Sequence, residues 1–477
     1  MNKLNPVLLI TVAAALVACS DSTELPVELD TSNNGAPTHP NVVFILADDM
    51  GFGDVGYNGS EIATPNLDQM AQAGMKLDRN YVYPICSPTR AALLTGQNPL
   101  HHGVDGPMAD DTGLPLDLKI MPQYFKDLGY QTHMIGKWHL GIGNTDYWPR
   151  SRGFDTHYGF LGGWVDFYTH VYSGGLDWQR EGRSLREEGH TTDLLTEEAI
   201  KIIQSKDSDN PFFLYLTYNA PHSPLQNIPT QTGLNEGLEA GHRFVYGEMV
   251  TQLDDGIGRV VDALEAGGIL DNTIVVFSSD NGGSLGLGAN NGDLRGGKGG
   301  AYEGGMRVPG LISWPSHIEA GRVLEQPIAV HDWLPTLLDA VGGDSSQVDR
   351  PYGQSMWPAI SEGIEMDRAR MIIGARENMA VFDWPWKLVR EGEEAEYQLF
   401  NLLADPVEQE DLAVREPEIL ATLVTVLEAK PVVASKRDTA NGSANSYYAS
   451  GADTDYDARL QESRPPWAEQ AVRGGEH

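Results

Sequence analysis

Four apolar runs alternate with amphipathic stretches through the first part of the chain. The runs cover 41–49 (NVVFILADD), 130–139 (YQTHMIGKWH), 211–222 (PFFLYLTYNAPH) and 272–282 (NTIVVFSSDNG). They are short and rich in β-branched and aromatic residues, which predicts buried strands. Between them, 65–74, 120–129, 191–204 and 242–268 carry helical periodicity. Strands alternating with helices predict an α/β fold, with a large, mainly parallel (mixed) sheet sandwiched by helices. Each run ends in polar or ionisable residues: Asp48-Asp49, Lys137 and His139, His222, and Asp280-Asn281. Open sheets of this kind bind ligands at the carboxyl ends of their strands, so these distant residues are expected to meet at one edge.

After residue 345 the texture changes. Short strand-like runs (ARMIIGA at 369–375, MAVFDWPWKLVR at 379–390, EYQLFNL at 396–402) precede a helical pattern at 417–429. They predict a smaller C-terminal α+β subdomain on a short antiparallel sheet, spanning 346–435, beside a larger domain at 41–345. Residues 436–477 are polar with little periodicity and read as a tail. No internal repeat is evident.

Composition narrows the function. Among 477 residues, 33 basic against 67 acidic side chains give a formal charge of −34, with 41% hydrophobic and 21% charged residues. That balance is globular; it excludes collagen, coiled coil and multi-span membrane protein. A surface this acidic repels phosphate backbones, so no nucleic-acid partner is expected. An anionic substrate must be drawn by a local pocket.

Both cysteines need an explanation. Residues 1–19 read as a signal peptide whose apolar stretch is too short to span a bilayer. Its end, Leu16-Val17-Ala18-Cys19, resembles a bacterial lipobox. Cys19 is therefore the expected lipidation site, and 20–40 a flexible tether. The chain then reads as an exported bacterial lipoprotein, periplasmic or associated with the outer membrane, towards which Ser20 also points. Cys86 is left as a lone thiol that is inert, reactive or modified.

Two glycine motifs carry no nucleotide chemistry. Gly51 to Gly56 spells G-x-G-x-x-G, but Asp48 and Asp49 precede it and would repel a pyrophosphate. Gly292 to Lys298 spells G-x-x-x-x-G-K, with Gly299 where a magnesium-binding hydroxyl belongs. The strongest signal is Cys86-Ser87-Pro88-Thr89-Arg90 followed by Thr95-Gly96. This C-x-P-x-R pattern resembles the signature of the formylglycine-dependent (type I) sulfatases of the alkaline phosphatase superfamily. The resemblance extends over roughly residues 40–430, through PNVVFILADDMGFGDVG, GKWHLG, RGFD, NAPHSPL, SSDNGG and RGGKGGAYEGGMRVP.

The resemblance implies that a maturation enzyme oxidises Cys86 to formylglycine, whose hydrated aldehyde attacks sulfur. Asp48, Asp49, Asp280 and Asn281 supply hard oxygen ligands that suit calcium or magnesium rather than zinc; the resemblance favours calcium, with the modified Cys86 as a further ligand. Any one of these acids alone reads equally well as a strand cap. A helix beginning at Ser87 or Pro88 brings Arg90 to the face of Cys86. In an extended chain Lys137 and His139 point to the same side. By resemblance, Asp280 activates the nucleophile, His222 with Lys298 protonates the leaving oxygen, His139 is the later base, and Lys137 and Arg90 steady the charge.

The segments at 114–141 and 152–170 look most like the N-acetylgalactosamine-4-sulfatase branch. They imply a sulfated carbohydrate substrate, such as a carrageenan or a glycosaminoglycan, carrying a 4-O-sulfated galacto-configured sugar. Trp164, Asp166, His170 and Arg295 are candidate substrate contacts, although loop packing explains the first three as well. A phosphomonoester or phosphonate hydrolase of the same superfamily and a non-catalytic glycan-binding lipoprotein are the rival readings.

Overall fold

The computed structural model describes residues 39–108, 112–206, 210–228 and 233–430. The expected signal peptide with Cys19, nearly all of the tether, and the tail lie outside them. Five parallel strands form the centre of a ten-stranded sheet. In chain order they are β1 (Asn41–Ala47), β2 (Gln131–Lys137), β3 (Thr156–Phe160), β4 (Phe212–Thr217) and β5 (Thr273–Ser279). Their spatial order is β5-β1-β4-β2-β3. The β5 edge continues through antiparallel Gly310–Ser313, then Met75–Leu77 and Arg322–Leu324; the β3 edge continues through Gln179–Arg180 and Arg183–Ser184. The sheet is mixed and mainly parallel, as the sequence pattern predicts.

Alternation along β1 explains the sandwich. Val42, Phe44 and Leu46 face one core, and Val43, Ile45 and Ala47 the other, because successive side chains point to opposite faces. The first core takes α2 (Cys86–Thr95) and α3 (Met121–Asp127); the second takes α1 (Pro65–Ala73), α4 (Thr191–Gln204) and α5 (His242–Ala266). Neither face is wetted, which is why the strands read as continuous apolar runs.

The C-terminal part carries a four-stranded antiparallel sheet: Met371–Ala375, Asn378–Asp383, Trp386–Glu391 and Gln398–Asn401. The run 379–390 is two strands rather than one, since Trp384-Pro385 makes the turn between them. Proline lacks the N–H that a continuous ladder needs. One face of this sheet (Ile373, Phe382, Val389, Phe400) packs into the main core. The other (Val381, Leu388, Leu399) is covered by Leu423 and Leu427 of the helix Pro417–Glu428. The small sheet thus shares the main hydrophobic core on one side. Among the described residues no helix is long and apolar enough to cross a membrane.

Candidate active site

The carboxyl ends of β1, β2, β4 and β5 meet as the sequence pattern requires. Asp48 and Asp49 leave β1 fully buried, with Asp49 at φ 69°. Lys137 is the last residue of β2, and its Nζ donates to Asp48 Oδ2 at 2.6 Å. β2 reaches this depth because Gly136 has no side chain; a Cβ there would lie 1.8 Å from Thr217 O of β4.

Helix α2 begins at Cys86, one or two residues earlier than expected, with Pro88 in the first turn where no intrahelical N–H is needed. All ten of its residues are buried. One turn on, Arg90 Nε and Nη2 donate to Asp280 Oδ2 at 3.0 and 2.8 Å, and Nη1 to Lys137 O at 2.7 Å. Asn281 Nδ2 donates to Asp49 Oδ1 at 2.8 Å. Lys298 Nζ lies 2.7 and 2.8 Å from the two oxygens of Asp49, and His222 Nε2 lies 3.7 Å from Oδ2. Ligand atoms of Asp48, Cys86 and Asp280 lie within 4.8 Å of one another, as do those of Asp48, Asp49 and His222.

His139 departs from the extended geometry expected of it. Its φ of 56° turns the chain after Trp138, which is buried in the core. Its carbonyl accepts from Ser87 Oγ at 3.0 Å, tying it to the first turn of α2, and its Nδ1 is buried with no hydrogen-bond partner. A Cβ on Gly163 would approach its Nε2 to 2.8 Å, so the loop carrying Trp164 lies against this imidazole.

Burial and crowded charges set the protonation states. Burial pushes the Cys86 thiol up, against the pull of Lys137 and Lys298. An unmodified Cys86 is therefore no thiolate nucleophile. Burial and then Asp280 raise Asp48 to about 8, against Lys137 and Arg90. Burial works to raise Asp49 too, but Lys298 and His222 outweigh it and hold that carboxyl well below the usual range. Burial lowers His222 to about 4, with Lys298 adding to it and Asp49 opposing. Burial, Lys137 and Arg90 push His139 well below its ordinary value. Both imidazoles are neutral near pH 7.

The donor set fits a hard divalent cation. Asp48 Oδ1 and Asn281 Oδ1 are buried without a hydrogen-bond partner, although unsatisfied buried oxygens are costly. Asp48 belongs to both groups of converging ligand atoms, one with Asp280 and Cys86 and one with Asp49 and His222, and carboxylate and amide oxygens of this kind suit calcium or magnesium.

The candidate substrate residues divide. Trp164 is partly exposed, edge-to-face on Tyr172 at 5.3 Å. Asp166 is buried; its Oδ1 accepts from the amides of Tyr168 and Thr169, and its Oδ2 from Gln226 Nε2. His170 is fully buried, stacked on Trp178 at 4.5 Å, with Nε2 3.0 Å from Gly189 O. These two build the loop that presents Trp164. Arg295 stacks on Tyr302 and donates to Glu408 O at 3.1 Å, bracing the C-terminal segment.

Two supporting groups escaped the motif reading. Asp54, inside the G-x-G-x-x-G stretch, accepts from Gly51 N, Asn290 N, Tyr246 Oη and Arg243 Nη1, and so anchors the loop after Asp49. That stretch forms short 3₁₀ turns, and no α-helix opens from it. The C-terminal sheet grips the glycine-rich loop around Lys298: Asn378 Nδ2 donates to Gly299 O, and Ala301 N to Glu391 Oε1. Asp54 was visible as an acid between glycines; Asn378 and Glu391 left no local signal.

Residues 40–343 match the sulfatase family model. Mouse arylsulfatase J is 37% identical over 356 residues, covering 72% of this chain and 60% of that protein. Human N-acetylgalactosamine-6-sulfatase is 34% identical over 364 residues, covering 70% and 68%. The solved structure of Ps i-CgsB superposes with a TM-score of 0.79 at 32% identity, covering 88% of this chain and 99% of that one. A second, in complex with k-i-k-neocarrahexaose, gives 0.78 at 32% identity, over 91% and 99%. With the C-x-P-x-R turn set among oxygen ligands and cations, these likenesses settle the matter of kinship: the chain belongs to the sulfatase family of sulfuric ester hydrolases.

Proposed function

We propose that this protein removes sulfate from an extracellular sulfated polysaccharide or its oligosaccharides, first of all from 4-O-sulfated galactose or N-acetylgalactosamine units. One observation carries the reading: the Cys86 thiol lies among buried carboxylates, with Arg90, Lys137 and Lys298 lining the same site. Likeness to a structure holding a neocarrahexaose supports a carrageenan-type saccharide, and the partly exposed Trp164 offers a ring face for sugar stacking.

Cys86 is the residue a maturation enzyme would convert to formylglycine, whose hydrated aldehyde would supply the attacking hydroxyl. Asp48, Asp49, Asp280 and Asn281, with the modified Cys86, would hold calcium, which would supply positive charge for the sulfate oxygens. Arg90, Lys137 and Lys298 hold the equatorial charge. Asp280 would accept the proton of that hydroxyl. His222 delivers a proton to the leaving sugar oxygen; the bound sulfate's negative charge favours the protonated form that burial alone disfavours. Neutral His139 is suited to take the proton of the second hydroxyl as sulfate departs. Cys19 carries the lipid that tethers the enzyme to a membrane facing the periplasm or beyond.

The test is expression with and without a formylglycine-generating enzyme. The tryptic peptide of residues 80–90 is expected to carry aldehyde in place of thiol, and sulfate release from defined carrageenan and glycosaminoglycan oligosaccharides to follow its yield. Fully converted peptide with no sulfate released from any of them would sink the reading.

A further inference from the structure

Strands Met371–Ala375 and Asn378–Asp383 are joined by a hairpin turn of two residues, Arg376 and Glu377. The ends of this turn reach both sides of the reacting centre. Ala375 is buried against Ile85 and Cys86. Asn378 Nδ2 donates to Gly299 O at 2.9 Å, next to Lys298. Arg376 N donates to Asp105 O at 2.7 Å, and its side chain runs along Gly106, where a Cβ would lie 3.2 Å from Nε. That loop is itself tied to α2, because Met108 N donates to Ser87 Oγ at 2.9 Å. The turn therefore sits at the rim, between the nucleophile's helix and the loop of Lys298.

Two features single out Arg376. It is exposed, and among the described residues no carboxylate pairs with it, whereas Arg90, Lys137 and Lys298 are each committed to an aspartate. It also lies at φ 54°, the first position of a two-residue hairpin turn, where glycine is favoured and a bulky side chain is strained.

We infer that Arg376 is an anion subsite for a second charged substituent, a sulfate or carboxylate on the sugar next to the one being desulfated. The inference rests on the saccharide reading above. A guanidinium matches the planar pairs of oxygens on such groups. On a chain of net charge −34, local cations must supply the attraction. Glu377, exposed on the same turn, repels the same substituent.

The test compares kcat/KM for an oligosaccharide sulfated on adjacent sugars with that for its counterpart sulfated only on the sugar attacked. Arg376→Gly is expected to lower the ratio about tenfold, a change in differential binding of about 1.4 kcal/mol. Arg376→Lys should recover part of it, and Glu377→Gln should raise it. The thermal midpoint of Arg376→Gly should match or exceed that of the wild type, since the strain is relieved. An unchanged ratio, or equal losses on both saccharides with a lowered midpoint, overturns the subsite. Wild-type enzyme that releases sulfate from neither saccharide overturns the functional reading, and the subsite with it.

Discussion

Cys86 is held at the first position of a buried helix, with its sulfur within 4.8 Å of oxygens from Asp48 and Asp280. The surrounding charges are already bound to one another through Arg90–Asp280, Lys137–Asp48 and Lys298–Asp49, so the framework does not depend on the sulfur. Cys86→Ala is therefore expected to abolish turnover while changing stability by no more than about 1 kcal/mol, as expected for loss of one small group from a nearly buried position. Turnover assays alongside urea denaturation check this. Residual activity above a few per cent would show that another group makes the attack.

The C-terminal sheet acts on the site as an element. Lys387 Nζ lies 2.9 Å from Glu303 Oε1 and 2.8 Å from Glu408 Oε1, all three side chains fully buried, and Tyr81 Oη donates to Glu303 Oε2 at 2.9 Å. Glu303 opens the short helix that follows the Lys298 loop, so this cluster fastens the loop to the strand Trp386–Glu391. Lys387→Met should cost about 3–5 kcal/mol, because it leaves Glu408 buried without its cation and Glu303 with only Arg307 Nη1, 3.9 Å away. Replacing both glutamates by glutamine in the same chain should restore much of the loss. Denaturation of the single and triple variants decides it; equal instability in both would assign the effect to packing rather than charge.

Over the whole molecule, titration and net charge matter more than any single contact. His157 is buried, and burial lowers it to about 3. The unfolded chain takes a proton on this imidazole near pH 6.5 and the folded one does not, so its contribution is fully present above that pH and is lost as the pH falls. The stability difference between wild type and His157→Gln should therefore shift against the wild type by ~2 kcal/mol between about pH 7 and pH 5. Urea titrations at the two pH values measure it, and a constant difference would refute the neutral buried state. The charge of −34 has a kinetic consequence. Screening shortens the range of repulsion from ~30 Å at 0.01 M salt to ~8 Å at 0.15 M. Thus kcat/KM for a polyanionic saccharide should rise over that interval, and a monotonic fall would mean that the site's cations dominate even at long range.

Period by itself determined four of the central strands, with polar residues following each, and the helix over 191–204, because burial imposes such patterns on adjacent residues; the C-x-P-x-R turn came from its resemblance to a known signature. The expected convergence of Asp48, Lys137, His222 and Asp280 followed from a rule about parallel sheets, and the strand order β5-β1-β4-β2 realises it. Only the tertiary structure decided that His139 turns out of its strand, that His170 lies inside against Trp178, and that Asn378, Glu391 and Lys387 reach back to steady the loop of Lys298. Those facts depend on packing between segments separated along the chain, by as many as 90 residues for Ala301 and Glu391. No local pattern along the chain encodes which of its polar groups such packing will bury, pair or leave at the rim.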